Sequence, residues 1–81
     1  MTQKEVCRLL DDGFEVLRRY YERDNLRGKQ KACVKYAFKN TTINGTCIGY
    51  SWRVWETFDS DKDLDAYMEA RLQNNKIVEY E

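Results

Sequence analysis

Between residues 2 and 24 the apolar positions follow the period of an α-helix. Set at about 100° per residue, Val6, Cys7, Leu9, Leu10, Gly13, Phe14, Val16, Leu17, Tyr20 and Tyr21 fall on one arc of about 180°. Lys4, Glu5, Arg8, Asp11, Asp12, Glu15, Arg18, Arg19, Glu22 and Arg23 fill the opposite half. The partition predicts a helix over residues 2–24. Thr2 serves as its N-cap, and Glu5 three residues later completes a capping box. Gly13 in mid-helix costs about 1 kcal/mol relative to Ala, so its place within the apolar arc implies close approach of another element. A competing reading of the same residues closes a short helix at Gly13 and begins a strand at Phe14.

Asp24-Asn25-Leu26-Arg27-Gly28 is turn chemistry. Beyond it the period changes to two. Ala32, Val34, Tyr36 and Phe38 share one face; Lys31, Cys33, Lys35, Ala37 and Lys39 share the other. A second alternating run sets Ile48, Tyr50, Trp52 and Val54 against Cys47, Gly49, Ser51, Arg53, Trp55 and Thr57. Asn44-Gly45 between the runs is a hairpin signal. A two-residue turn there pairs Ala37 with Trp52 and sets apolar residues opposite polar ones. A three-residue loop, Ile43-Asn44-Gly45, pairs Val34 with Val54, Tyr36 with Trp52 and Phe38 with Tyr50, so the burial pattern favours that register. Ser60 then caps a second helix with Asp61 and Asp63 in its first turn, Leu64, Tyr67, Met68 and Leu72 as its stripe, and Asn74-Asn75 as a left-handed stop. Residues 76–80 form a last short strand. The expected fold is α+β, one domain over residues 1–81, in the order α-β-β-α-β. Its two layers are two helices packed on one face of a small, mainly antiparallel three-stranded sheet.

Composition narrows the chemistry. In 81 residues there are 14 Lys+Arg, 14 Asp+Glu, 3 Cys and no His, which removes imidazole catalysis and imidazole metal ligation. No Ser-His, Cys-His, Cys-x-x-Cys or Gly-rich phosphate loop is present, so no catalytic residue, metal or cofactor is expected and the chain reads as a non-enzyme. Asp59 to Asp65 resembles a calcium loop only superficially: Leu64 stands where that loop needs Gly, and Ala70 where it needs Glu. Cys7, Cys33 and Cys47 are odd in number and widely spaced, which points to reduced thiols and a cytoplasmic setting. Asn40-Thr41-Thr42 and Asn44-Gly45-Thr46 match the glycosylation pattern but read as turn residues in a chain whose start shows no secretory signal. No apolar window approaches the roughly 18 residues of a membrane span.

Charge is unevenly placed. Residues 18–39 carry eight bases against two acids, a local +6, and residues 59–81 carry seven acids against three bases, a local −4. In the register above, the open sheet face shows Lys31, Lys35, Lys39, Arg53 and Trp55, with Lys35 opposite Arg53. Such a face suits an acidic protein surface, with Trp and Arg as anchors, or a single-stranded nucleic acid stacked on Trp55. The apolar width of the first helix exceeds what a sheet needs, so Phe14, Tyr20 and Tyr21 are secondary interface candidates, for a homodimer or a partner. The element order is shared in part with type II KH domains, but their Gly-x-x-Gly clamp is absent. In size alone the chain resembles small phage-encoded inhibitors such as anti-CRISPR proteins, and that likeness implies occupation of a protein surface. A non-enzymatic protein-binding module is the expected function, with nucleic-acid binding as the alternative.

Overall fold

The computed structural model describes residues 1–24 and 29–81; the Asn25–Gly28 part of the expected turn lies outside the described residues. The elements are α1 (Gln3–Asp11), β1 (Glu15–Asp24), β2 (Lys29–Ile43), β3 (Thr46–Phe58), α2 (Asp61–Arg71) and β4 (Ile77–Glu79). The class is α+β. The sheet has four strands in the order β3-β2-β1-β4 and is mixed: β1, β2 and β3 run antiparallel, and β4 pairs parallel to β1.

The helix expected over residues 2–24 stops at residue 11. Thr2 does cap it, its side chain accepting the Glu5 N–H at 3.2 Å. At the other end the Gly13 N–H donates to the Leu10 carbonyl and the Phe14 N–H to the Leu9 carbonyl, with Gly13 at φ +87°. This pair of bonds around a left-handed glycine is a Schellman stop. Gly13 therefore ends the helix, and among the described residues no neighbour lies within 4 Å of where a Cβ would stand. The strand begins at Glu15, one residue after the start that the competing reading gives.

β1 resembled a helix because it is buried on both faces. Val16 and Leu17 are adjacent, at 0% and 3% exposure, and point to opposite sides of the sheet. Val16 joins Val6 of α1 and Ala37, with Met1, Leu9, Leu10, Tyr50, Trp52, Val78 and Tyr80 around them. Leu17 joins Leu64 and Met68 of α2 with Ala32, Val34 and Ile77, and with Tyr36, Phe58, Tyr67 and Leu72 at the margin. The two helices thus cover opposite faces, and the arrangement has three layers instead of two.

The hairpin closes with the two-residue turn. Ile43 pairs with Thr46, and Asn44 (φ 53°) and Gly45 (φ 79°) both take the left-handed region that a tight primed turn requires. Lys35 faces Val54, Tyr36 faces Arg53, Ala37 faces Trp52 and Phe38 faces Ser51. The register favoured by one-sided burial fails because each face is covered over only part of its length, so Arg53 and Ser51 can stand beside Tyr36 and Phe38 at an end that is not fully buried. Asn40 on β2 and Ile48 and Trp55 on β3 are extra residues at three bulges.

α2 starts as expected, with Ser60 Oγ accepting the Asp63 N–H at 3.2 Å. It does not stop on a left-handed Asn; Leu72 closes it in the right-handed region, and Asn74 Oδ1 accepts the Lys76 N–H at 2.9 Å. Arg19 on β1 ties the helix to the sheet edge, pairing with Asp65 of α2 and with Glu79 of β4, the latter at 2.6 Å. Its carboxylate partners, Glu79 first, raise the Arg19 pKa. At the seam between chain ends, the Met1 ammonium donates to the Glu81 carbonyl.

Gly13→Ala is expected to destabilise the protein by about 1–2 kcal/mol, the cost of holding a Cβ in the left-handed region. Urea unfolding of the two proteins checks this, and an equal or raised midpoint would contradict the helix stop described here.

Candidate functional site

Each helix covers one end of its face. α1 lies over the hairpin end, where Gln3 Nε2 donates to the Ile48 carbonyl at 2.7 Å and Asp11 accepts the Cys47 N–H at 3.0 Å. α2 lies over Ala32 and Val34 on the other side. The hairpin-side end of the α2 face is left open, and four large side chains occupy it. Trp55 is 57% exposed, and its ring meets that of Tyr36 edge-on, centroids 5.5 Å apart. Tyr36 packs in turn against Phe38 at 6.2 Å, and the Arg53 guanidinium sits 4.9 Å from the centre of the Phe38 ring. The cluster follows from strand alternation: Trp55, two residues from Arg53, faces the same side as Arg53 and its cross-strand partner Tyr36, and it is also the extra residue at a bulge. Beside it lies a cleft of about 220 Å³ whose walls include Phe14, Leu17, Tyr36, Trp55 and Arg71. The Arg71 guanidinium lies over the Tyr67 ring and 4.0 Å from the Glu15 carboxylate.

The expected platform is therefore divided. Arg53 and Trp55 stand together on the α2 face. Lys31, Lys35 and Lys39 alternate onto the α1 face. Lys39 is bound to Asp11 at 2.8 Å, and the Lys35 ammonium sits 3.7 Å from the Tyr20 ring centre. Lys35 faces Val54, so the expected like-charge pair with Arg53 does not exist. The secondary candidates separate too. Tyr20 and Tyr21, 37% and 40% exposed, lie on opposite faces of β1, and Phe14 lies in the link after α1 with the Lys76 ammonium 4.5 Å from its ring centre. The single wide helix face proposed for a homodimer is thus absent. Tyr36 and Phe38 are the residues that sequence reasoning misplaced. Alternation put them in the core, whereas they are half-buried at the open end of the sheet. The available signal was Asn44-Gly45, whose preferred two-residue turn sets Tyr36 beside Arg53.

Trp52 belongs to the α1 side and is half-buried. Its ring meets Tyr50 at 5.5 Å and Tyr80 at 5.1 Å, with the Arg18 guanidinium lying 5.6 Å from Trp52 and 5.2 Å from Tyr80. It faces Ala37, not Tyr36. Burial, then Tyr80, raises the Tyr50 pKa.

The seam between α1 and β3 concentrates polar chemistry that the sequence pattern did not reveal. Gln3, Cys7 and Asp11, four residues apart, make one stripe of the helix against the hairpin. Lys39 holds the Asp11 carboxyl below its usual range, assisted by the Cys47 N–H, and Asp11 in turn raises the pKa of Lys39. The Cys7 and Cys47 sulfurs are 2.6 Å apart and both residues are buried. Among the described residues no group of His, Cys, Asp or Glu side chains has the geometry to hold a metal ion, and no helix is long and apolar enough to cross a membrane.

No family model, curated protein or solved structure matches the chain.

Two measurements test these placements. Trp52→Ala is expected to cost about 3 kcal/mol and Trp55→Ala about 1 kcal/mol or less, read from chemical denaturation. Because the folded Asp11 carboxyl titrates below its ordinary value, its contribution is present above that value and is lost as pH falls through the folded one. The stability gap between wild type and Asp11→Asn should therefore be open at about pH 6 and closed near pH 2, as followed by thermal melts.

Proposed function

We propose that the chain is a non-enzymatic binding protein that occupies an acidic surface of a protein partner through Trp55, Tyr36, Phe38 and Arg53. The observation that carries this reading is Trp55 itself: a large ring more than half exposed, yet held edge-on by Tyr36 beside a cation. Aromatic and Arg side chains fixed in place lose little entropy on binding and are typical interface anchors. Arg71 across the cleft adds a second cation, and its Nε has no hydrogen-bond partner among the described residues. An inhibitor or adaptor of the type carried by phages and mobile elements, acting in the cytoplasm, fits a chain of this size and surface.

Nucleic-acid binding is less well supported. A strand stacked on Trp55 needs several cations along its path, and Lys31, Lys35 and Lys39 stand on the other face.

The test pairs two experiments on the wild type and Trp55→Ala. A protein retained from lysate by wild type and lost with Trp55→Ala, with complex formation weakening only modestly in salt, supports the reading. Equal retention by both overturns it. Tryptophan quenching by a random single-stranded oligonucleotide that vanishes with added salt would replace it with the nucleic-acid alternative.

A further inference from the structure

α1 is held against β3 at three points of one helical stripe. Gln3 and Asp11 hold the two ends by hydrogen bonds to the Ile48 carbonyl and the Cys47 N–H, and Cys7 lies midway between them. The bulge at Ile48 sits beside Cys47, whose Sγ also lies 3.4 Å from the Gly49 carbonyl. Both thiols are 5% exposed, and their sulfurs are 2.6 Å apart across 40 residues of sequence. A cleft of about 660 Å³, walled in part by Gln3, Lys4, Arg8, Thr46 and Ile48, opens directly over the pair. Two sulfurs held this close on separate elements are already near the separation of a disulfide bond, and the cleft supplies a route for a small reagent.

We propose that Cys7 and Cys47 form a disulfide-forming modification site, closed by exchange with a small-molecule disulfide of the oxidised glutathione class. One protein thiol loses its proton and its sulfur attacks a sulfur of the reagent. That attack breaks the reagent's S–S bond, makes a mixed disulfide and releases one small thiolate. The second protein thiol then gives up its proton and attacks the protein-bound sulfur of the mixed disulfide, releasing the second small thiolate. The two protons end on the two released thiols. The protein pair loses two electrons and one reagent disulfide becomes two thiols. The site is independent of the proposed binding face.

The surroundings set the rate. Burial, Cys47 and Asp11 push the Cys7 thiol up to about 11, with Lys39 pulling weakly the other way. Lys4, Arg8 and Asp12 are the remaining charges on the cleft wall. Cys7 is therefore protonated at neutral pH, and closure runs slowly there and faster in mild alkali.

The native protein tests this directly, because Cys7, Cys33 and Cys47 fall in three different tryptic peptides. Incubation with oxidised glutathione at about pH 7 and about pH 9, then intact mass and non-reducing peptide mapping, should show a loss of about 2 Da and a Cys7–Cys47 linked pair, formed faster at the higher pH. The bond should raise Tm by roughly 10–20 °C, reversibly with dithiothreitol. A persistent glutathione adduct of about 305 Da without the linked pair, a link to Cys33, an unchanged mass at both pH values, or a linked pair that lowers Tm would each overturn the proposal.

Discussion

A strand buried on both faces is the constraint from which the rest of this fold follows. β1 lies between β2 and β4, and its neighbours Val16 and Leu17 face opposite ways into separate apolar clusters. One helix cannot fill both. α1 must close the Val16 side and α2 the Leu17 side, and burying a side chain of this size is worth about 1.5–3 kcal/mol on each face. Once the helices are divided between faces, neither covers its face completely. The exposed remainder of the α2 side, with Trp55 and Tyr36, is a product of that division.

The same constraint explains what was readable in the chain. The caps were legible: Thr2 and Ser60 both accept the N–H three residues on, and the stripe Leu64, Tyr67, Met68 and Leu72 packs as its spacing implies. These signals are local, so no tertiary partner can alter them. The long first helix was illegible for a physical reason. A strand that alternates between two covered faces loses its polar beat, and residues 15–21 then satisfy the helical period by accident of composition. Gly13 carried the decisive information, as a left-handed stop.

Register shows the opposite failure. Facing patterns assume one dry and one wet side, and under that assumption Tyr36 and Phe38 belong opposite Trp52 and Tyr50. With each side covered only in part, turn chemistry outranks facing, and Asn44-Gly45 sets the pairing. Of the five candidate site residues, Arg53 and Trp55 were placed together correctly, because they are two apart on one strand. The three lysines were joined to them only through the mistaken register. The Cys7–Cys47 contact crosses 40 positions and leaves no periodic trace.

β3 forms one rim of the sheet, and its outer row of N–H and C=O groups is the natural template for a second chain. The irregularities at Ile48 and Trp55 divide that row, leaving an uninterrupted stretch only from Gly49 to Val54. A straight incoming strand meets a kink at either end of those six residues and cannot extend its ladder. Trp55 is itself the displaced residue at one of these irregularities, so the exposed ring also marks the place where the rim is broken, and a sequence straightened by deleting that residue would lose the ring and gain a long, sticky border at the same stroke.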